Sequence, residues 1–274
     1  MAEAIDYKHI GSRPVRPDGV DKVTGRAEFG GDVSLPGMII GKILRSPHAH
    51  ARIKSIDITD ALAIPGVHAV ITGEDFPGGG ISGEIDGEGG GSISDQAKNV
   101  IARDKVLYHG HALAAVAAIS DRAADRALDA IKVEYEVLSP VLDILEAIDP
   151  DSVLVNENNY TKLPEKPDRP SNIANVGNLI RGDIQEGFER ADVVIEREYV
   201  CPMTHQGYIE PHSCLASVDE EGKGTVWCST QGHFEFRNQT ASILKKNIAD
   251  LKFVAKENGG GFGGKTVVYL EPLA

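Results

Sequence analysis

Cysteine is scarce. The chain has three in 274 residues, Cys201, Cys214 and Cys228, too far apart for a CxxC site and odd in number. They make no disulfide framework. Each reads instead as a small buried hydrophobe in a reducing compartment. Long apolar runs are missing too: no stretch approaches the ~20 residues a membrane-crossing helix needs. The opening MAEAIDYKHIGSRPVRPDG lacks the apolar centre of a secretory signal. Positive charge is in deficit, with 28 Lys and Arg against 41 Asp and Glu and a net charge of −13. That balance argues against nucleic acid or an anionic membrane as the main partner. A cytoplasmic protein is expected, bound by neither.

What is there supports about two domains, with 41% hydrophobic residues to fill their cores. In the first half, MIIGKILRS and ARIKSIDI have strand character on either side of Pro47. Thr59 is placed to cap a short helix, TDALAI, stopped by Pro65-Gly66 before the strand VHAVITG. A long loop holding Gly78-Gly79-Gly80 and Gly89-Gly90-Gly91 follows and reads as mobile or ligand-binding. LAAVAAIS is then a strand, Ser120 a cap, DRAADRALDAI a helix with Ala124, Leu128 and Ile131 on one face, and VEYEV an alternating strand. This completes an α+β unit near Pro140. Pro, Asn and charge crowd Asp149 to Ser171, the best linker. Beyond it, Gly182-Asp183 caps the helix IQEGFER, followed by the strand VVIEREYV, an irregular stretch from Pro202 to Ser213, and the strands CLASVD and TVWCST. Phe236, Thr240, Ile243 and Leu244 share a helical face, and the strand LKFVAKE runs into a glycine cluster.

That cluster, Gly259-Gly260-Gly261-Phe262-Gly263-Gly264-Lys265, is the most informative feature and fits three patterns. Gly259, Gly264, Lys265 and Thr266 satisfy GxxxxGK(S/T), a phosphate-binding P-loop. Gly259, Gly261 and Gly264 satisfy GxGxxG, a dinucleotide fingerprint. Glycines suit both because they let backbone N–H groups close around an anion. A P-loop further requires a helix after the lysine and a later strand with an Asp, and a dinucleotide fold an acidic residue about 20 positions on. A plain flexible turn is the bland alternative, but it leaves the bulky Phe262 unexplained. The third pattern is a backbone that passes close to a ligand while one ring packs against it.

GGGFGGK resembles the molybdopterin-site loop of the xanthine oxidase and aldehyde oxidase family, and the resemblance extends along nearly the whole chain. RPDGVDKVTGRAEFGGDVSLPGM, LRSPHAHARIKSID, ALAIPGVHAVITGEDF and DKVLYHGHALAAVAAIS resemble that family's a/b hammerhead domain. GDIQEGFERADVVIEREYVCPMTHQGYIEPHSCLA and VWCSTQGHFEFRNQ resemble the start of its molybdenum-binding region. Gly110-His111-Ala112-Leu113 departs from the family's usual Gly-Gln-Pro-Val. The resemblance implies an α+β fold: an N-terminal extension over residues 1–17, a hammerhead domain over 18–140, a linker over 141–175, and over 176–274 the N-terminal part of a mixed α/β molybdopterin-binding domain.

The resemblance also implies a site. Gln231 matches the residue whose amide lies beside the oxygen ligand of molybdenum, where an amide donates a hydrogen bond without adding charge. Gly260, Gly261, Phe262 and Gly263 match the loop whose backbone approaches the cofactor, Phe262 turning its ring toward the metal. No residue of this chain matches a metal ligand or the family's catalytic base, a glutamate that lies later in the sequence and is expected on a partner chain. The implied activity is oxidation of a small organic substrate by a molybdenum hydroxylase or dehydrogenase in a hetero-oligomer. Its molybdopterin cofactor is expected in the cytosine dinucleotide form. A second molybdenum-domain chain, an iron–sulfur subunit and an FAD subunit are the expected partners, since two [2Fe–2S] clusters need about eight cysteines. A hydratase or reductase on the same scaffold remains an alternative. Thr266 stands where many xanthine-oxidising members have glutamate, which puts purine substrates in doubt. Two histidine pairs, His48/His50 and His109/His111, could each share a strand face, and His205, Glu210 and His212 share a short window. A zinc site is conceivable at such spacings, but a structural role fits them better.

Overall fold

The computed structural model describes residues 7–78, 80–85 and 91–274. After a short helix, α1 (Gly19–Thr24), come β1 (Ile40–Arg45) and β2 (Ala51–Asp57) on either side of Pro47. They do not pair with each other. The turn sends them into separate sheets, which strand patterning alone cannot tell from a hairpin. Helix α2 (Thr59–Leu62) is capped differently from expectation. Thr59 is its first helical residue, and its N–H donates to Asp57 Oδ1 at 2.9 Å. Strand β3 (Val67–Thr72) follows.

The expected long loop falls partly on Gly79 and residues 86–90, which lie outside the described residues. Its remainder holds two short strands, β4 (Glu84–Ile85) and β5 (Gly91–Ser92), and a helix that periodicity did not suggest, α3 (Ile93–Val100), capped by Ser92. Then come β6 (Lys105–Val106), β7 (Ala112–Ala118), α4 (Asp121–Ala130) and β8 (Lys132–Val137). Ser120 caps α4, accepting from the Ala123 N–H at 3.3 Å.

Strand β7 is central in the order β1-β7-β3, antiparallel to both neighbours, while β2 lies between β6 and β8. Alanine explains the close approach of α4 to this first sheet. Ala114, Val116 and Ala118 of β7 pack with Ala123, Ala124 and Ala127 of α4, all small enough for helix and strand to meet tightly.

Residues 141–175, expected as a linker, carry one short helix, α5 (Ile144–Ile148), capped by Asp143. Helix α6 (Ile184–Glu189) has the expected Asp183 cap, whose Oδ1 accepts from the Glu186 N–H at 3.0 Å. The strand expected at Val193–Val200 is absent: these residues are exposed and irregular. Their composition suits a strand, but a strand exists only where another pairs with it. Cys201 in the same region is exposed, unlike the buried Cys228, so it is not the buried hydrophobe expected.

The third sheet has the order β11-β10-β9, built from β9 (Cys214–Val218), β10 (Gly224–Cys228) and β11 (Leu251–Ala255). Strands β10 and β9 are antiparallel; β10 and β11 are parallel, with helix α7 (His233–Leu244) crossing between them. One core joins the halves of the chain. Val100, Ile101 and Ala112 pack in a single cluster with Val226, Phe236, Ile243 and Val268.

Two buried titratable groups give this fold a pH signature. His111 is fully buried, its Nε2–H donating to the Lys98 carbonyl at 2.7 Å while Nδ1 accepts from the Leu107 N–H at 3.3 Å. Those partners fix a neutral tautomer, and burial lowers its pKa from 6.5 to about 4. Unfolded, the ring takes a proton near 6.5, so stability drains away as pH falls from 6.5 toward 4. Burial pushes the Glu271 carboxyl up from 4.5 to about 7, against the backbone N–H groups around it. For this group the unfolded chain releases its proton first, and stability falls as pH rises from 4.5 through 7. Each effect is on the order of 3 kcal/mol, and over the shared interval they oppose. Glu271→Gln is therefore expected to make stability climb more steeply from pH 4 to 6.5 than in the parent. Urea midpoints measured across that range check this; parallel profiles for variant and parent would refute it.

Candidate functional site: a glycine loop held by two side-chain oxygens

Because β10 and β11 are parallel neighbours, with Cys228 opposite Ala255, the segments leaving their carboxyl ends emerge side by side. Ser229-Thr230-Gln231 leaves β10 and turns into α7; the glycine loop follows β11. Clefts beyond the carboxyl ends of parallel strands are where open α/β sheets bind ligands. Topology thus unites Gln231 with Gly260, Gly261, Phe262 and Gly263.

Two side-chain oxygens hold the loop. Gln231 Oε1 accepts from the N–H groups of Gly263 at 3.0 Å and Lys265 at 3.1 Å. Two donors aimed at one atom identify it as the carbonyl oxygen, so Nε2 faces the other way. Among the described residues nothing accepts from it. The Gln231 N–H in turn donates to the Lys265 carbonyl at 2.9 Å. The second oxygen is Glu210 Oε2, which accepts from the Gly259 N–H and from Lys265 Nζ, each at 2.6 Å. One carboxylate oxygen therefore ties the first and last residues of GGGFGGK together. Lys265 is fully buried in this pair, with its ammonium 5.1 Å from the centre of the Tyr208 ring.

Close packing explains the glycines. A Cβ at Gly259 would lie 2.6 Å from Glu210 Cβ, at Gly261 2.5 Å from Gln231 Oε1, and at Gly264 2.7 Å from Tyr208 Cε1. Each is nearer than real Cβ contacts allow. Phe262 adopts a left-handed backbone, φ 48°, and its side chain is 74% exposed. Bulky residues rarely take that conformation, and at functional sites such strain is held by the surroundings.

A further layer steadies the loop's flanks. Lys22 of α1 makes a 2.7 Å ion pair with Glu257, whose N–H donates to the Glu28 carbonyl at 3.1 Å. On the far side the buried Gln239 of α7 accepts from the Val268 N–H at 3.0 Å. His212 and Tyr208 share a 2.9 Å hydrogen bond, and burial lowers the His212 pKa.

The P-loop and dinucleotide patterns lose their physical basis here. Lys265 turns into the protein toward Glu210, not toward the loop's mouth, and the Thr266 hydroxyl donates to the Gly263 carbonyl at 2.9 Å. Turns, not a helix, follow the lysine. The histidine pairs do not share strand faces, since β2 begins at Ala51 and β7 at Ala112. Among the described residues no three His, Cys, Asp or Glu side chains gather to hold a metal ion, and no helix is long and apolar enough to cross a membrane. Sequence reasoning missed Glu210 and Tyr208 as partners of the loop. The one available signal was a lysine among glycines, whose charge needs a partner if it is buried.

Comparison with known proteins finds relatives for both halves of the chain. Residues 24–139 match the aldehyde oxidase and xanthine dehydrogenase a/b hammerhead domain, and residues 165–274 the molybdopterin cofactor-binding domain. The chain belongs to the aldehyde oxidase and xanthine dehydrogenase family. It is 35% identical over 95% of its length to a probable xanthine dehydrogenase component of Bacillus subtilis, and 34% identical over 95% to the nicotinate dehydrogenase large molybdopterin subunit of Eubacterium barkeri. The crystal structure of quinoline 2-oxidoreductase from Pseudomonas putida superposes over 98% of the chain, with 26% identity and a TM-score of 0.76. The chain spans 32% of the Bacillus relative, 56% of the Eubacterium relative and 33% of the quinoline enzyme. Its hammerhead and molybdopterin-binding parts are thus those of a large subunit, matched over a fraction of its length.

Proposed function

We propose that this chain is part of a cytoplasmic molybdenum hydroxylase or dehydrogenase, and that Gln231, Gly260, Gly261, Phe262 and Gly263 hold its molybdopterin cofactor, in the cytosine dinucleotide form. The observation that carries the reading is the orientation of Gln231. Its oxygen is consumed by the loop, which leaves an uncharged N–H donor with no acceptor among the described residues. A neutral donor beside a tightly packed glycine loop fits a bulky group approached at backbone distance. When bound, the cofactor supplies the redox-active metal at which a small organic substrate is oxidised. The chain's own contribution is positional. Gln231 would donate to the bound group through Nε2, the glycines would admit it, and the Phe262 ring would shield that face from water. The catalytic base, a second stretch of molybdenum domain, [2Fe–2S] clusters and FAD belong to partner chains in this reading.

Substitutions at two loop positions test it. Gly261→Val is expected to remove molybdenum and pterin from the purified assembly, because its branched side chain would overlap Gln231 Oε1. Thr266→Ala should retain both, losing one hydrogen bond worth about 1 kcal/mol. Metal analysis and pterin fluorescence read the outcome. Magnesium-dependent nucleotide hydrolysis that vanishes with Thr266→Ala would sink the proposal. So would a parent assembly, from molybdenum-sufficient cells, holding neither metal nor pterin.

A further inference from the structure

The segment that leads into Tyr208 and Glu210 mixes charged residues with bare apolar side chains. Leu179 is 98% exposed, Tyr199 84%, Val200 83% and Ile209 94%, and Ile184 and Phe188 of α6 also face solvent. Isolated exposed hydrophobes are ordinary, but a contiguous series marks a surface meant to be covered. Among the described residues no backbone hydrogen bond to another segment involves residues 192–203. If extended, Val193, Ile195, Arg197 and Tyr199 fall on one face and Val194, Glu196, Glu198 and Val200 on the other. The first face is the more apolar of the two, and unpaired backbone of this kind pairs by strand addition.

We propose that residues 179–203 are the docking surface for the rest of the molybdopterin-binding domain, which adds a strand along residues 193–200. The inference rests on the molybdenum reading and deepens it. The bare segment lies inside the match to the molybdopterin cofactor-binding domain, residues 165–274, not in a linker. Relatives carry far more chain than is matched here, so the same domain has further sequence to cover it. Docking also has a consequence for the site. The covered segment runs directly into Tyr208 and Glu210, the residues against which the glycine loop is clamped. Assembly therefore fixes the loop, and cofactor retention depends on it.

The test uses the assembly purified from its producing cells. A benzophenone amino acid at Tyr199 is expected to cross-link to sequence that matches the molybdopterin-binding domain beyond the glycine loop, on this polypeptide or another. Amide exchange over residues 191–203 should be at least a hundredfold slower than in an unstructured peptide. Ile195→Asp should lower molybdenum content at least tenfold, while Glu196→Gln, on the opposite face, leaves it unchanged. Cross-linking of Tyr199 only to a second copy of this segment would overturn the proposal. Rapid exchange over 191–203 in a molybdenum-loaded assembly would also overturn it while leaving the cofactor reading intact. A protected, correctly cross-linked assembly without metal or pterin would do the reverse.

Discussion

Glu210→Ala is expected to destabilise the folded chain by about 3–5 kcal/mol and to strip the assembly of cofactor even where folded protein is recovered. The first effect follows from burial. Lys265 has no solvent exposure, and Glu210 is its counter-charge at 2.6 Å; removing one partner of a buried pair leaves the other charge uncompensated. The second follows from geometry, since the same oxygen accepts the Gly259 N–H and so closes the loop. A double variant separates the two. In Glu210→Gln with Lys265→Met no buried charge is left, and an amide oxygen can still accept from Gly259. Most of the stability should return, and part of the molybdenum content with it. Urea denaturation and metal analysis of Glu210→Gln, Lys265→Met and the double variant complete a cycle. Additive losses would mean that Glu210 and Lys265 do not act as a pair.

That pair also marks where sequence reading stopped. Local elements were legible because their causes are local: the Ser120 cap and apolar face of α4, the alternation of β8, the helical face of α7 through Phe236 and Ile243. Gln231 and the glycines were singled out by family resemblance, and the parallel pairing of β10 with β11 explains why they meet. What could not be read was set by distant partners. Glu210 and Lys265 are 55 residues apart, and nothing near either says which carboxylate a buried lysine will choose. The separate sheets of β1 and β2 are the same problem at the level of strands. Val193–Val200 is its converse: strand composition is present, but the partner that would make it a strand is not among the described residues.

Gln231 offers the sharpest test of the site, because its two functions fall on two different atoms. Its Oε1 accepts from Gly263 and Lys265 and so shapes the loop; its Nε2 is left to donate outward. Gln231→Ala removes both functions. It should lower turnover by about 10²–10³-fold, the usual loss for one preorganised donor at a reacting centre, and loosen cofactor retention as well. Gln231→Glu separates them. A carboxylate accepts from the two N–H groups at least as well as an amide oxygen does, so the loop should keep its shape and the assembly its molybdenum. The donor, however, is replaced by a negatively charged acceptor. Turnover in Gln231→Glu should therefore fall as far as in Gln231→Ala, with metal content near that of the parent. If Nε2 donates to the bound group as proposed, the reduced metal's paramagnetic signal should also change. Parent-like turnover in a fully loaded Gln231→Glu assembly would show that the amide is a loop fastener only and that Nε2 faces nothing that reacts.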